Sequence, residues 1–389
     1  MDLVKAKIEQ ATAILKELDI DLWLLFCRES DVMADPAHEL VIGHKVVWQS
    51  AFFIGRKGER IALVGSYDTA DFERSGRFTD VRGYVEDCGS EIRSIIEAIG
   101  PAKIAVNFSK DDTAADGLSH GMYLLLTAYL KGTAYVERIV SAEKIISLLR
   151  GRKLEPEREK ISRAATMAVE AWEKFIKMAH PGMTEIEIAD NIERIIAEAG
   201  GICSFDTIVN AGSKTSPGHG HPTEAVWERG ELLHIDFGIK YDGFCSDLQR
   251  LAYCRAAGET EPPPELQRAF IMIKEIIDVT SRSYKPGVKG YEIDAIARQM
   301  LRDNGYEEYQ HALGHQIGRS VHDGSAIVGP RWRRYGSMCE IPLEESNVFT
   351  VELGIPLEGI GYVGLEEDLA VTRTGGEFLC PRQTELIII

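Results

Sequence analysis

Two aspartates, Asp236 and Asp247, stand eleven residues apart in a run that begins at His234. Tyr241-Asp242-Gly243 between them is a turn signal, and residues 232–238 and 244–253 on either side read as strands. A fold-back between Tyr241 and Asp242 sets Lys240 against Gly243, Gly238 against Cys245, and Asp236 against Asp247. Both carboxylates then lie on one face, with Cβ atoms about 5 Å apart. Like charges so placed destabilise a sheet. A pair of divalent cations is the most economical compensation. Asp236 also follows the largely apolar run Leu232-Leu233-His234-Ile235, which implies buried surroundings.

Glu352 and Glu366 repeat this arrangement. Residues 348–354 and 360–371 read as strands, and Gly359 lies midway between the two glutamates. A fold-back there sets Glu352 opposite Glu366. Glu367 stays open on the residues alone, because a one-residue slip presents it instead. Glu367 and Asp368 otherwise fit an exposed acidic cluster.

Imidazoles are concentrated too. His311, His315 and His322 fall within twelve residues, and His219 and His221 precede the first aspartate strand. Gly314 and Gly318 make the His311 segment a loop or irregular strand, and His234 reads as structural. Four carboxylates and one imidazole form a hard, mostly oxygen ligand set. It suits Mn²⁺, with Co²⁺, Zn²⁺ or Fe²⁺ as competitors. Bridging carboxylates hold two such ions ~3.5–4 Å apart, which is the chemistry of amide hydrolysis.

The positioning elements fall in two parts. Residues 1–150 alternate helix and strand, with helices over 4–18, 92–99, 121–130 and 143–149. Strands are expected over 22–26, 104–107 and 134–137, and a hairpin joins 48–54 to 60–64. After a linker at 151–156, helices are expected over 157–178, 184–199, 262–281 and 291–304. Thr184 and Glu187 form a capping box at the second of these. All the concentrated His, Asp and Glu chemistry lies beyond residue 215, so the second part is the active one and the first an accessory.

The chain has 389 residues, 44% of them hydrophobic, which suits two full-sized cores. The net charge of −17 argues against nucleic acid and anionic membrane surfaces as partners. No apolar run reaches the ~20 residues of a membrane span. The first ten residues read as a charged amphipathic helix, not a secretory signal. Seven scattered cysteines without a Cys-x-x-Cys pair fit a reducing cytoplasm.

The ordered set Asp, Asp, His, Glu, Glu, with His219 upstream, resembles the pita-bread metallopeptidases: Xaa-Pro aminopeptidase, prolidase and, more distantly, methionine aminopeptidase. Four segments carry the likeness: residues 236–250, 311–323, 349–355 and 365–372. The resemblance implies an α/β N-terminal domain of the creatinase-N kind over 1–150 and an α+β pita-bread catalytic domain over 155–389. It implies a dinuclear-metal exopeptidase cleaving the N-terminal peptide bond, Xaa-Pro above all, by attack of a metal-bridging hydroxide. By position, Asp236 would hold one metal and His315 the other. Asp247 and Glu366 would be shared, and Glu352 would bind the His315 metal and manage protons. His219, His311 and His322 would contact substrate. Glu366, not Glu367, takes the ligand position. A homodimer is implied by the same analogy.

Four positions depart from the family pattern: Gly364 replaces the usual Arg, Gln249 a Thr, Leu353 a Pro and Ala312 a Gly. None removes a ligand, but Gly364 takes away a charge near the metals and substrate. A creatinase-like C–N hydrolase and a catalytically silent pita-bread binding module are the alternatives. Both are disfavoured by retention of all five ligand positions.

Overall fold

The computed structural model describes residues 2–110, 112–212 and 220–389. The chain divides into two compact units, Met1–Arg150 and Gly151–Ile389.

In the first unit, alternation along the strand Leu22–Cys27 sorts two cores. Trp23 and Leu25 point to the helices Leu3–Glu17 and Glu143–Gly151, while Leu22, Leu24 and Phe26 point to Gly89–Ile99 and His120–Tyr129. The result is an α/β sandwich around a six-stranded mixed sheet. The strand expected over 134–137 forms instead at Ile139–Ser141, after a 3₁₀ turn at Val136–Arg138. Its Ile139 and Val140 pair in parallel with Ile104 and Ala105. The helix Thr69–Ser75 and edge strand Asp80–Tyr84 had no forecast. That strand is largely unburied and carries no apolar run to betray it.

The second unit is α+β. Its main sheet runs in the order Val348–Leu357, Gly361–Thr372, Leu248–Tyr253, Leu232–Phe237 and Ile208–Ala211. Short strands at Gly375–Phe378 and Ile387–Ile388 pair with its Gly361–Thr372 and Leu248–Tyr253 strands. Helices Glu155–Ile176 and Glu185–Glu198 pack on Leu233, Ile235 and Phe237. Helices Pro264–Ser281 and Gly290–Asp303 pack on Val351, Leu353, Val363 and Leu365. Each such buried side chain contributes about 1.5–3 kcal/mol. The Thr184–Glu187 capping box forms as expected.

The two helix pairs repeat one device that the sequence reading missed. Gly182 N donates to Trp227 O and Trp227 N to Met183 O; Gly287 N donates to Leu343 O and Leu343 N to Val288 O. In both cases a Pro-Gly turn ties the second helix to a distant strand-like segment. Among the described residues, no helix is long and apolar enough to cross a membrane.

Candidate metal centre

The aspartate strands pair with a different register from the simplest fold-back. Asp242 and Gly243, with φ of 48° and 80°, form a two-residue turn. Both residues tolerate the left-handed region such hairpin turns demand. Tyr241 therefore faces Phe244, Lys240 faces Cys245, and Asp236 faces Gln249. The expected direct opposition of Asp236 and Asp247 is thus corrected by two residues. Asp247 precedes Gln249 by two, so it keeps the same face and meets Asp236 diagonally.

The glutamate hairpin has the expected register. Glu352 pairs with Glu366 across antiparallel strands, and the turn passes through Gly359 at φ 76°. Odd-numbered neighbours such as Val351 and Leu365 enter the helix-facing core, which leaves Glu352 and Glu366 on the other face. Glu367 points away from the site, where its Oε2 lies 3.0 Å from Arg250 Nη2; both side chains are under 3% exposed. Asp368 is fully buried and its Oδ2 accepts the Asp247 backbone N–H at 3.1 Å. Glu367 and Asp368 are therefore not an exposed acidic cluster. The alternating pattern is broken there by two buried charges that only their partners explain.

His315 arrives on a short strand, Gly314–His315, laid along the first glutamate strand. Glu352 N donates to Leu313 O, His315 N to Thr350 Oγ1 and Ile317 N to Val348 O. The approach is so close that a Cβ at Gly314 would sit 2.1 Å from Thr350 O. Only glycine fits there.

Asp236, Asp247, His315, Glu352 and Glu366 all line one cavity of about 480 Å³. Ligand atoms of Asp247, His315 and Glu366 lie within 4.8 Å of one another. His315 Nε2 is 3.5 Å from Asp247 Oδ2. Asp236 Oδ1, Asp247 Oδ1 and Glu366 Oε1 are buried without a hydrogen-bond partner. Such orphaned oxygens are rare in folded proteins.

Electrostatics give the same account. Burial, then the Glu352 charge, pushes Asp236 up to about 8. Burial, then Asp236, Asp368 and Glu352, raises Asp247 well above the carboxylate range. Burial, then Asp247 and Glu352, does the same to Glu366. The imidazole of His315 is held neutral, its pKa lowered to about 3 by burial and then by His322. Carboxyls that repel one another beside a neutral imidazole are what divalent cations bind. The residues fit a metal pair.

The remaining histidines differ. His322 lines the cavity, its ring centroid 4.3 Å from that of His315. His311 Nδ1 is 4.0 Å from Glu352 Oε2, and its Nε2 is 3.4 Å from Tyr362 Oη. His219 lies outside the described residues. His221 is exposed and stands 3.9 Å from Asp206, away from the residues lining the cavity. His234 is buried, its pKa lowered to about 4 by burial, and its Nε2 lies 3.0 Å from Gln249 Oε1. Gln249 was read only as a departure from the family pattern, Asp368 only as part of an acidic cluster, and Tyr362 was not singled out; the strand register brings all three to the site.

A profile of metallopeptidase family M24 matches residues 159–373. The uncharacterized peptidase YqhT of Bacillus subtilis is 28% identical over 350 residues, covering 87% of this chain and 92% of that protein. A Xaa-Pro dipeptidase of Pyrococcus horikoshii is 30% identical over 260 residues, covering 66% of this chain and 70% of that one. Among solved structures, a Xaa-Pro dipeptidase from Bacillus anthracis superposes with TM-score 0.78 at 26% identity, over 99% of this chain and 100% of that one. An X-Pro aminopeptidase from Thermotoga maritima gives 0.75 at 26%, over 98% and 99%.

Proposed function

This chain belongs to metallopeptidase family M24, and from that premise we propose that it is a dinuclear-metal exopeptidase releasing the N-terminal residue of peptides, with proline preferred in the second position. One observation carries the reading: five ligand-type side chains converge on one cavity, and three of their oxygens are buried without partners. Asp236, Asp247, His315, Glu352 and Glu366 would hold the ions. The oxygen-rich donor set favours Mn²⁺.

When bound, such ions supply an activated water and polarise a peptide carbonyl. The chain's own groups do the rest. Glu352 takes a proton from the attacking water at Oε1, the oxygen that Gln249 leaves open, and delivers it to the leaving amine nitrogen. His311, beside Glu352, and His322, beside His315, would steady the charge that develops on the carbonyl oxygen. His219 belongs to the same group by position. Names of relatives support the proline preference: Xaa-Pro dipeptidase for the Pyrococcus protein and X-Pro aminopeptidase for the Thermotoga one. A homodimer is part of this proposal, and light scattering of the purified protein tests it.

The deciding experiment is an assay of Mn²⁺-loaded protein on Ala-Pro, Ala-Pro-Ala and Ala-Ala-Ala. Cleavage of Ala-Pro alone identifies a dipeptidase, and cleavage of Ala-Pro-Ala an aminopeptidase. Cleavage of Ala-Ala-Ala at a similar rate removes the proline preference. No metal-dependent release from any of the three overturns the reading.

A further inference from the structure

Two of the positions that depart from the family pattern touch each other beside the metal-binding carboxylates. Gln249 Nε2 lies 2.9 Å from Glu366 Oε2 and 3.2 Å from Glu352 Oε2. One amide thus donates to both members of the glutamate pair. Gln249 Oε1 is 3.0 Å from His234 Nε2, and Asn210 Nδ2 is 3.5 Å from His234 Nδ1. With both amide protons committed to carboxylates, the Gln249 oxygen must accept. That fixes the proton of His234 on Nε2 and leaves Nδ1 to face the Asn210 donor. A buried chain therefore runs from Asn210 through His234 and Gln249 to the two glutamates.

The amide has room only because residue 364 is glycine. A Cβ there would lie 2.7 Å from Gln249 Oε1, 2.7 Å from Tyr362 Cε1 and 3.0 Å from His234 Nε2. Any side chain at 364 displaces Gln249 or the ring behind it. Glutamates that repel one another across a strand pair rotate apart unless a donor holds them. A neutral donor aligns them without neutralising either, so the full negative charge of the site stays available to cations.

We propose that Gln249 and Gly364 act as one unit that positions Glu352 and Glu366 for the metal pair, Gln249 as the bridging donor and Gly364 as the space it needs. This rests on the metal-pair reading above. Gln249 is a positioning residue, and its effect is read in metal affinity.

The test is Mn²⁺ affinity by chelator-competition calorimetry on the full chain, alongside the melting temperature of metal-free protein. Gln249→Met keeps the bulk and removes the amide. It is expected to weaken Mn²⁺ binding by about 10–100-fold, the usual cost of losing an outer hydrogen-bond partner, while the metal-free melting temperature records separately the cost of leaving His234 Nε2 without its acceptor. Gly364→Ala is expected to weaken binding similarly and covers the case in which Gln249→Met does not fold. In a Gln249→Ala background, the Gly364→Ala change is expected to cost less Mn²⁺ affinity than it does alone, because the contact with Gln249 is gone and only those with Tyr362 and His234 remain. Unchanged Mn²⁺ affinity in Gln249→Met, or additive losses in the double variant, overturns the proposal. A wild-type protein that binds no metal overturns the metal-pair reading itself, and the positioning role with it.

Discussion

Asp236 stands directly opposite Gln249, and Asp247 reaches the same face from two residues earlier on that strand. The diagonal leaves the two carboxylates distinct neighbours. Asp236 feels Glu352 first among the charges, while Asp247 feels Asp236 and Asp368 and approaches His315.

On the proposed metal-pair reading, Asp247 is therefore the residue whose loss reaches furthest. Asp247→Ala is expected to abolish metal-dependent peptide release and reduce bound metal below two per chain. The loss exceeds the about 10–100-fold typical of an outer hydrogen-bond partner. Activity assays with elemental analysis check it, and a fully active variant sinks the mechanism.

Metal-free protein should lose stability as pH rises. Asp236, Asp247 and Glu366 have raised pKa values, Asp236 reaching about 8. Between the ordinary carboxylate value near 4 and these raised values, the folded chain holds protons that the unfolded chain has lost. Stability is then complete below the unfolded pKa and falls as pH climbs through the folded one, by about 1.4 kcal/mol per pH unit for each proton held. His234 and His315 act in the opposite sense only below about 6.5. Urea unfolding of metal-free protein at pH 7 and 8 should show the fall. A flat or rising stability contradicts it.

Metal loading should reverse that loss. Mn²⁺ at a hundred times its dissociation constant adds about 2.7 kcal/mol per independent site. The melting temperature at pH 8 should rise with Mn²⁺ and return after EDTA treatment. No shift across a wide Mn²⁺ titration contradicts a site that binds only the folded chain.

Adjacent glutamates should respond in opposite ways. Removing Glu367 leaves Arg250 buried and unpaired, so Glu367→Ala is expected to cost about 3–5 kcal/mol of folding stability. Glu366→Gln removes one of the repelling carboxylates. It should leave the metal-free fold as stable or more so, while metal binding and activity collapse. Chemical unfolding and metal analysis of both variants separate the two roles.

His311 should affect turnover without affecting metal content. It touches Tyr362 and approaches Glu352, and belongs to neither hairpin. His311→Ala is expected to lower kcat by about 10²–10³, as for loss of one donor to a developing oxyanion, with two metals still bound. Loss of metal in this variant would reassign His311 as a ligand-orienting group.

Much of the site was legible in the sequence because strand alternation is a local rule. Glu352 and Glu366 share a face in their expected register, since the apolar residues between the acids must enter the core. Most of the helices followed from apolar spacing in the same way, Thr69–Ser75 excepted, and the cap at Thr184 followed from residue type. The aspartate register was not legible. A fold-back around Tyr241-Asp242-Gly243 is consistent with more than one pairing, and the choice of Asp242-Gly243 as a two-residue turn moved Gln249, not Asp247, opposite Asp236. The missed edge strand Asp80–Tyr84 and the displaced strand at Ile139–Ser141 have the same origin. Short strands are placed by their partners, which composition does not name.

By itself, then, the sequence determined the order of the candidate ligand residues and the two hairpins that present the acids, because these rest on side-chain type and a period of two. Only the tertiary structure decided which acids turn inward. It sent Glu367 to Arg250, buried Asp368 under Asp247, and laid His315 along the glutamate strand through Gly314. It also brought Gln249 and Gly364, 115 positions apart in the chain, into contact. Such contacts join distant segments, and their energies exist only once the sheet has closed.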